Sequence, residues 1–248
     1  MRRDESAGID PVRRIILLGG GFSTDPDSLL DEYVLSASAV DKPRVCFIPT
    51  ASGDSRGYTD RFYSAFTRMN CTPSHLWLFH DRSADMASLV ANQDILYVGG
   101  GSTANLLALW RLHGLDRLIR DAYRRGVLLC GISAGAACWF DACLTDSFGD
   151  LRPLKDGLGL LEGSFCPHFD AEPERDQLYG QAVSDGSLPG GWALQDGAAA
   201  LFRNEELRDI VTRNGTSTII GMRRENGYTQ ISRKFSKAQI LTEPGGES

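Results

Sequence analysis

No apolar run in these 248 residues approaches the roughly 20 needed to cross a bilayer. The opening Met1-Arg2-Arg3-Asp4-Glu5-Ser6 is polar, with no apolar segment behind it. Neither a membrane span nor a secretory leader is expected, which points to the cytoplasm. The cysteines Cys46, Cys71, Cys130, Cys138, Cys143 and Cys166 contain no CxxC pair, so they read as reduced core residues rather than disulfides or metal ligands. A basic excess is also missing: 26 Lys and Arg against 32 Asp and Glu leave a formal net charge of -6. That argues against a general nucleic-acid binder, because neutralising phosphates takes a basic surface. There is no GxxxxGK(S/T) loop, and Gly19-Gly20-Gly21 does not fit GxGxxG, so nucleotide binding is disfavoured. No His/Cys/Asp cluster has ligand spacing, so no metal and no cofactor are expected. No repeat or low-complexity tract is visible.

The remaining composition, 42% hydrophobic and 23% charged, is that of an ordinary globular chain long enough for a sizeable core. After a loose tail over residues 1–12, apolar strand-like runs alternate with helical patterns. Strands are read at Arg13–Gly21, Arg44–Thr50, His75–Phe79, Asp94–Val98 and Val127–Cys130. Helices are read from about Asp25, over Tyr58–Asn70 and Ala84–Ala91, from Ser102 or Thr103 as N-cap, and over Asp116–Arg125. This alternation means α/β: a mainly parallel sheet with helices on both faces, whose sites form beyond the carboxyl ends of the strands. Leu144–Leu160 is loop-rich, a short strand runs into Phe165–Asp170, and Glu172–Ser184 is helical. Turn signals at Asp196-Gly197, Arg203-Asn204, Asn214-Gly215 and Asn226-Gly227 separate short strands, read as an antiparallel extension of the same sheet. One domain over 13–242, closed by a tail at 243–248, is the expected organisation.

The chemistry centres on Val127–Ala137, VLLCGISAGAA. A short apolar run, then Gly131-Ile132-Ser133-Ala134-Gly135, then small helix-forming residues is the pattern of a nucleophile elbow. Glycines flank the serine because a Cβ there would clash where the chain folds back. A serine hydroxyl needs a base, and the base needs an orienting group. Of the four histidines, His75, His80 and His113 read as packed or solvent-facing. His168 follows Pro167 at a strand end, where a loop side chain can reach the elbow's rim. Asp141, Asp146, Asp150, Asp170 and Asp196 all remain open as the acid. Asp146 gives the chain order Ser…Asp…His known for elbow enzymes, although it reads equally well as a turn cap. Ala134 N–H, just after the serine, and the N–H of Gly101 at a helix start are natural oxyanion donors.

Gly99-Gly100-Gly101-Ser102-Thr103, Gly131–Ala136 and Pro167-His168-Phe169, in this order and spacing, resemble the dipeptidase E (aspartyl dipeptidase) family of serine peptidases, related to cyanophycinase. The resemblance covers roughly Arg13 to Asp196. It implies a flavodoxin-like, class I glutamine amidotransferase-like fold in a cytosolic serine enzyme. Characterised members cleave peptides with an N-terminal aspartate. It also implies Ser133 as nucleophile, His168 as base, Gly101 and Ala134 as oxyanion donors, and Asp146 as acid, although the segment carrying the acid differs in length from the best-known members. Ser102 stands where asparagine or glutamine is common. Arg175, on the helix after His168, is the candidate for a substrate carboxylate, since a guanidinium binds one bidentately. The expected partner is a small peptide, with no nucleic acid or membrane, and a homodimer is left open. The competing reading is a non-catalytic or amidotransferase-like binding module. Serine rather than cysteine at 133 argues against glutamine chemistry, and Cys130 should point into the sheet.

Overall fold

The computed structural model describes residues 11–79, 85–225, 228–232 and 239–242. Residues 1–10 and 243–248 of the expected tails, together with His80, Ala84 and the Asn226-Gly227 turn, lie outside the described residues. The first part of the chain runs β1 (Arg14–Leu18), α1 (Leu29–Ser36), β2 (Arg44–Ile48), α2 (Arg56–Phe66), β3 (Thr72–His75), α3 (Met86–Ala91) and β4 (Ile95–Val98). Then come α4 (Thr103–His113), α5 (Leu115–Arg124), β5 (Leu128–Ile132), α6 (Ala134–Ala137), β6 (Phe140–Thr145), β7 (Arg152–Leu154) and β8 (Leu161–Cys166). The last elements are α7 (Pro173–Asp185), β9 (Gly191–Leu194), β10 (Ala198–Arg203), β11 (Glu206–Thr212), β12 (Ile219–Glu225), β13 (Tyr228–Ser232) and β14 (Gln239–Ile240).

Period-two alternation in β1 explains why the sheet is covered on both faces. Ile15 and Leu17 join a core with Leu106, Leu107 and Trp110 of α4 and Leu115, Ile119 and Ala122 of α5. Ile16 and Leu18 face the opposite way, onto Leu30 and Val34 of α1 and Tyr58, Phe62 and Phe66 of α2. A strand buried on both sides must be apolar throughout, and this one is. Helix α5 does the converse, burying Leu115, Ile119, Ala122 and Tyr123 on one stripe and leaving Arg117, Asp121 and Arg124 exposed.

Among the described residues the main sheet has the order β14-β11-β10-β1-β5-β4-β2-β3. Strands β1, β5, β4, β2 and β3 are parallel, and β10 joins β1 antiparallel. The expected antiparallel extension is therefore present in β10 and β11. The expectation that the whole C-terminal part continues this sheet needs correcting: β13-β12-β9-β8-β6-β7 form a second sheet. One face of that sheet packs on α7 through Tyr179, Ala182 and Val183. Its other face sends Phe140, Phe165 and Leu194 into the core shared with β1 and α4.

Other boundaries also differ from the sequence reading: α1 begins at Leu29 rather than near Asp25, and α2 spans Arg56–Phe66 rather than Tyr58–Asn70. The third strand is Thr72–His75 rather than His75–Phe79, because Arg44–Phe47 pairs in parallel with Thr72–His75. Pro73 is tolerated there since β3 is the edge strand. The next residues turn away, with Leu78 and Phe79 giving their N–H groups to the Asp54 carboxylate at 2.5 and 2.7 Å. The elbow helix α6 is a single turn, because the aromatic residues after it, Trp139 and Phe140, are fully buried and lead into β6.

Candidate active site

Ser133 follows β5 with φ 54° and ψ -114°, a left-handed conformation for a residue with a side chain. Such a conformation costs of the order of 1–3 kcal/mol and survives only where neighbours impose it. The imposing contacts are visible. A Cβ on Gly131 would stand 2.2 Å from the Gly135 oxygen, and one on Gly135 would stand 2.3 Å from the Val98 oxygen. The chain can fold back this tightly only without those side chains. The result is a half-buried Ser133 at the carboxyl edge of the sheet.

The glycine loop after β4 approaches the serine from one side. A Cβ on Gly100 would meet the Ser133 Cβ at 3.3 Å. The Gly100 N–H donates to the Tyr58 hydroxyl at 3.3 Å, so Tyr58 fixes this loop from below. Nothing in the sequence singled out Tyr58. Gly101, at φ 137°, presses on Ala51, whose oxygen would be 2.2 Å from a Cβ and accepts from Ser102 N–H at 2.8 Å. Ser102 caps α4, its hydroxyl accepting from Asn105 N–H at 3.3 Å. This is helix-capping chemistry, and it turns the Ser102 oxygen toward the helix start. Ala134 opens α6, where first-turn N–H groups have no intrahelical partner.

His168 lies beyond β8, also with positive φ, 54°. Its Nδ1 is 2.9 Å from Asp196 Oδ1. The pairing of neighbouring parallel strands explains this meeting: Cys166 of β8 is opposite Ala193 of β9, so the residues just past both ends emerge side by side. The Asp196 turn is braced by Asp170, whose Oδ1 accepts Asp196 N–H at 2.9 Å, and by Ser217, whose hydroxyl donates to Asp196 O at 2.5 Å. It also reaches the elbow's neighbour. Ile132 is opposite Leu18, and the next residue, Gly19, accepts Gly197 N–H at 2.5 Å. One strand thus separates the serine's strand end from the acid's turn.

The carboxylate on the histidine is Asp196 and not Asp146, the acid favoured by chain order. Asp146 is held elsewhere. Ser147 accepts Ala104 N–H at 3.1 Å and Thr145 meets Ser147 at 2.7 Å, which fixes this loop on the start of α4. The Asp146 carboxylate stands 3.9 Å from Arg175 Nη2. Arg175 itself is 3% exposed and gives its Nε–H to Glu172 at 2.6 Å. It is thus a buried, already paired guanidinium instead of an open one, against the expectation of a free substrate contact. Asp141 accepts Gly163 N–H at 2.9 Å inside the second sheet, and Asp150 lies in the exposed loop after β6. His75 meets the Tyr63 hydroxyl at 2.8 Å and His113 ends α4, so both are structural.

Behind the pair, Asp25 and Asp31 fill the space beneath the Gly19–Gly21 turn. Burial pushes Asp25 up to about 6, opposed by Arg213. Burial likewise pushes Asp31 up to about 7, although the Tyr97 hydroxyl donates to it at 2.8 Å. The six cysteines are all buried and unpaired. Burial drives their thiols upward, those of Cys130 and Cys138 far above the ordinary range, which leaves them inert. No helix among the described residues is long and apolar enough to cross a membrane.

A strained serine between a parallel strand and a helix, with a His–Asp pair beyond the ends of neighbouring strands, is the kind of arrangement that serine hydrolases of the α/β class use. The chain matches the family described as Peptidase family S51 over residues 15–210 and belongs to it; it is a serine-type peptidase. It is 48% identical to the uncharacterized peptidase YgaJ of Bacillus subtilis strain 168, over 89% of this chain and 96% of that protein. Peptidase E of Salmonella arizonae is 29% identical over 71% of this chain and 66% of its own length. A solved peptidase from an acI-B1 Actinobacterium has the same fold, with a TM-score of 0.67 and 17% identity, covering 89% of this chain and 94% of that one.

Proposed function

We propose that this peptidase hydrolyses short peptides through an acyl-enzyme on Ser133, with His168 as base and Asp196 as the acid that orients it. The observation carrying this reading is the 2.9 Å bond between His168 Nδ1 and Asp196. With Nδ1–H donating to the carboxylate, Nε2 carries the free lone pair and can take the serine proton. Ser133 Oγ then attacks the scissile carbonyl, and the N–H groups of Gly101 and Ala134 receive the developing oxyanion. His168 returns the proton to the leaving amine. Water, deprotonated by the same imidazole, releases the acyl group and regenerates Ser133.

Dipeptides, including those with an N-terminal aspartate, are the substrate class we favour, on the resemblance to dipeptidase E. The roles of Ser102 as a cap and Arg175 as a buried ion partner leave the aspartate preference without a contact at either residue. The test is labelling with a fluorophosphonate probe alongside hydrolysis of Asp-X, Glu-X, β-aspartyl and Ala-X dipeptides, using wild type and Ser133→Ala. Both signals should vanish in a variant whose circular dichroism is unchanged. Hydrolysis retained by folded Ser133→Ala would sink the mechanism.

A further inference from the structure

Arg175 brings a permanent charge into the core beside the base. Its guanidinium lies between three pieces of chain: Glu172 at the start of α7, Asp146 after β6, and Cys166 at the end of β8. Burial pushes the Cys166 thiol up to about 12 while this guanidinium pulls it the other way, which places the cation against the last residue of β8. Two residues on is His168, in its left-handed conformation. The turn that follows is closed by Glu172 N–H donating to His168 O at 3.2 Å, and Arg175 N–H in turn donates to Glu172 O at 3.0 Å. Arg175 Nε grips the Glu172 carboxylate at 2.6 Å. The strained segment is therefore gripped at Glu172, with the same guanidinium on the side of Cys166 at its start.

We propose that Arg175 is a positioning residue, which keeps the His168 turn in its left-handed form by gripping Glu172, the residue whose N–H closes that turn. The proposal rests on the reading of Ser133 and His168 as the reacting pair, and it assigns Arg175 no contact with substrate. The fork geometry matters. A lysine at this site would keep the charge but could not reach Glu172 and the Cys166 side together. The Nη1 group has no hydrogen-bond partner among the described residues, so the site retains a buried charge that is incompletely satisfied. Keeping such a group is costly unless its geometry is needed.

The ionisable groups around the turn are Asp196 with Asp25 behind it, Asp170 and Glu172 in the turn, Asp146 across from α7, and the thiols of Cys143 and Cys166. Removing the cation takes a positive charge from the turn that carries His168 and leaves Glu172 without its partner, a change that favours a charged imidazole.

The experiment compares Arg175→Met, Arg175→Lys and Glu172→Gln with wild type in two readouts. One is kcat and KM on Asp-X and Ala-X dipeptides, and the other is the His168 titration followed by NMR, assigned with His168→Asn. A displaced base predicts kcat lowered roughly 10- to 100-fold by Arg175→Met on every peptide, with KM little changed. It also predicts partial recovery in Arg175→Lys, a smaller loss of the same kind in Glu172→Gln, and a His168 midpoint moved upward. A rise in KM confined to Asp-X peptides would make Arg175 a substrate contact and overturn the proposal, as would an unchanged kcat and titration. If wild type itself cleaves no peptide, the peptidase mechanism fails separately. The NMR arm still decides whether Arg175 governs His168. Should Arg175→Met fail to fold, the Lys and Gln variants carry both readouts.

Discussion

Replacing Asp196 with asparagine removes the charge facing His168 Nδ1 while keeping the size of the side chain. The wild-type contact is 2.9 Å, between side chains 24% and 42% exposed. A hydrogen bond to a charged partner contributes about 1.5–3 kcal/mol, which in the transition state corresponds to roughly 10- to 150-fold in kcat. Water reaches both groups, so the screened lower half of that range is expected, about 10- to 50-fold. An amide can also turn its NH2 toward the ring and favour the wrong tautomer, which adds to the loss. The control is Asp146→Asn. Its carboxylate is 59% exposed and 3.9 Å from a guanidinium that keeps Glu172, so the expected change in kcat is below about three-fold. Steady-state kinetics of both variants on one cleaved dipeptide, with thermal melts as fold controls, decides the matter. An Asp146→Asn loss as large as that of Asp196→Asn, or a wild-type kcat in Asp196→Asn, would refute the assignment.

Two predictions concern stability. Asp31 is fully buried with a carboxyl raised to about 7, well above the unfolded value of about 4. Folding therefore takes up a proton, so this contribution to stability is full below about pH 4 and fades as pH rises through about 7. Urea unfolding should give a lower stability at pH 8 than at pH 5 by a few kcal/mol at most, and Asp31→Asn should flatten that slope, leaving the part due to Asp25. An identical slope in wild type and variant would contradict the reading. Gly135→Ala should lower Tm by roughly 6–12 °C, since its Cβ would stand 2.3 Å from the Val98 oxygen, an overpacking of about 3 kcal/mol against backbone. Gly180→Ala in α7, where a Cβ would meet nothing within 4 Å among the described residues, should not lower it; equal effects at the two glycines would show that the elbow contact is not the cause.

Local patterns in the chain specified much of this protein. The doubly apolar strands, the Ser102 cap and the two elbow glycines each follow from residues a few positions apart, where sterics and hydrogen bonding act directly. The elbow and the Pro167-His168 strand end were legible for that reason. The β3 boundary was not, because Thr-Pro-Ser-His is a poor strand on propensity and pairs only through its register with β2. The split into two sheets was likewise hidden: β6, β8 and β9 look like any short apolar runs until their partners are known.

The acid shows the limit most clearly. Chain order favoured Asp146, thirteen positions after the serine, and its sequence neighbourhood carries no sign of its engagement with Arg175. Asp196 reaches His168 because β8 and β9 run parallel with Cys166 opposite Ala193, a pairing between segments about 27 residues apart. The sequence by itself therefore determined the elbow turn at Ser133, the strand end that carries His168 and the class of fold, since each is written in local backbone geometry. Only the tertiary structure decided which carboxylate serves the histidine and that Arg175 is buried, because strand register and long-range burial are properties of the assembled core.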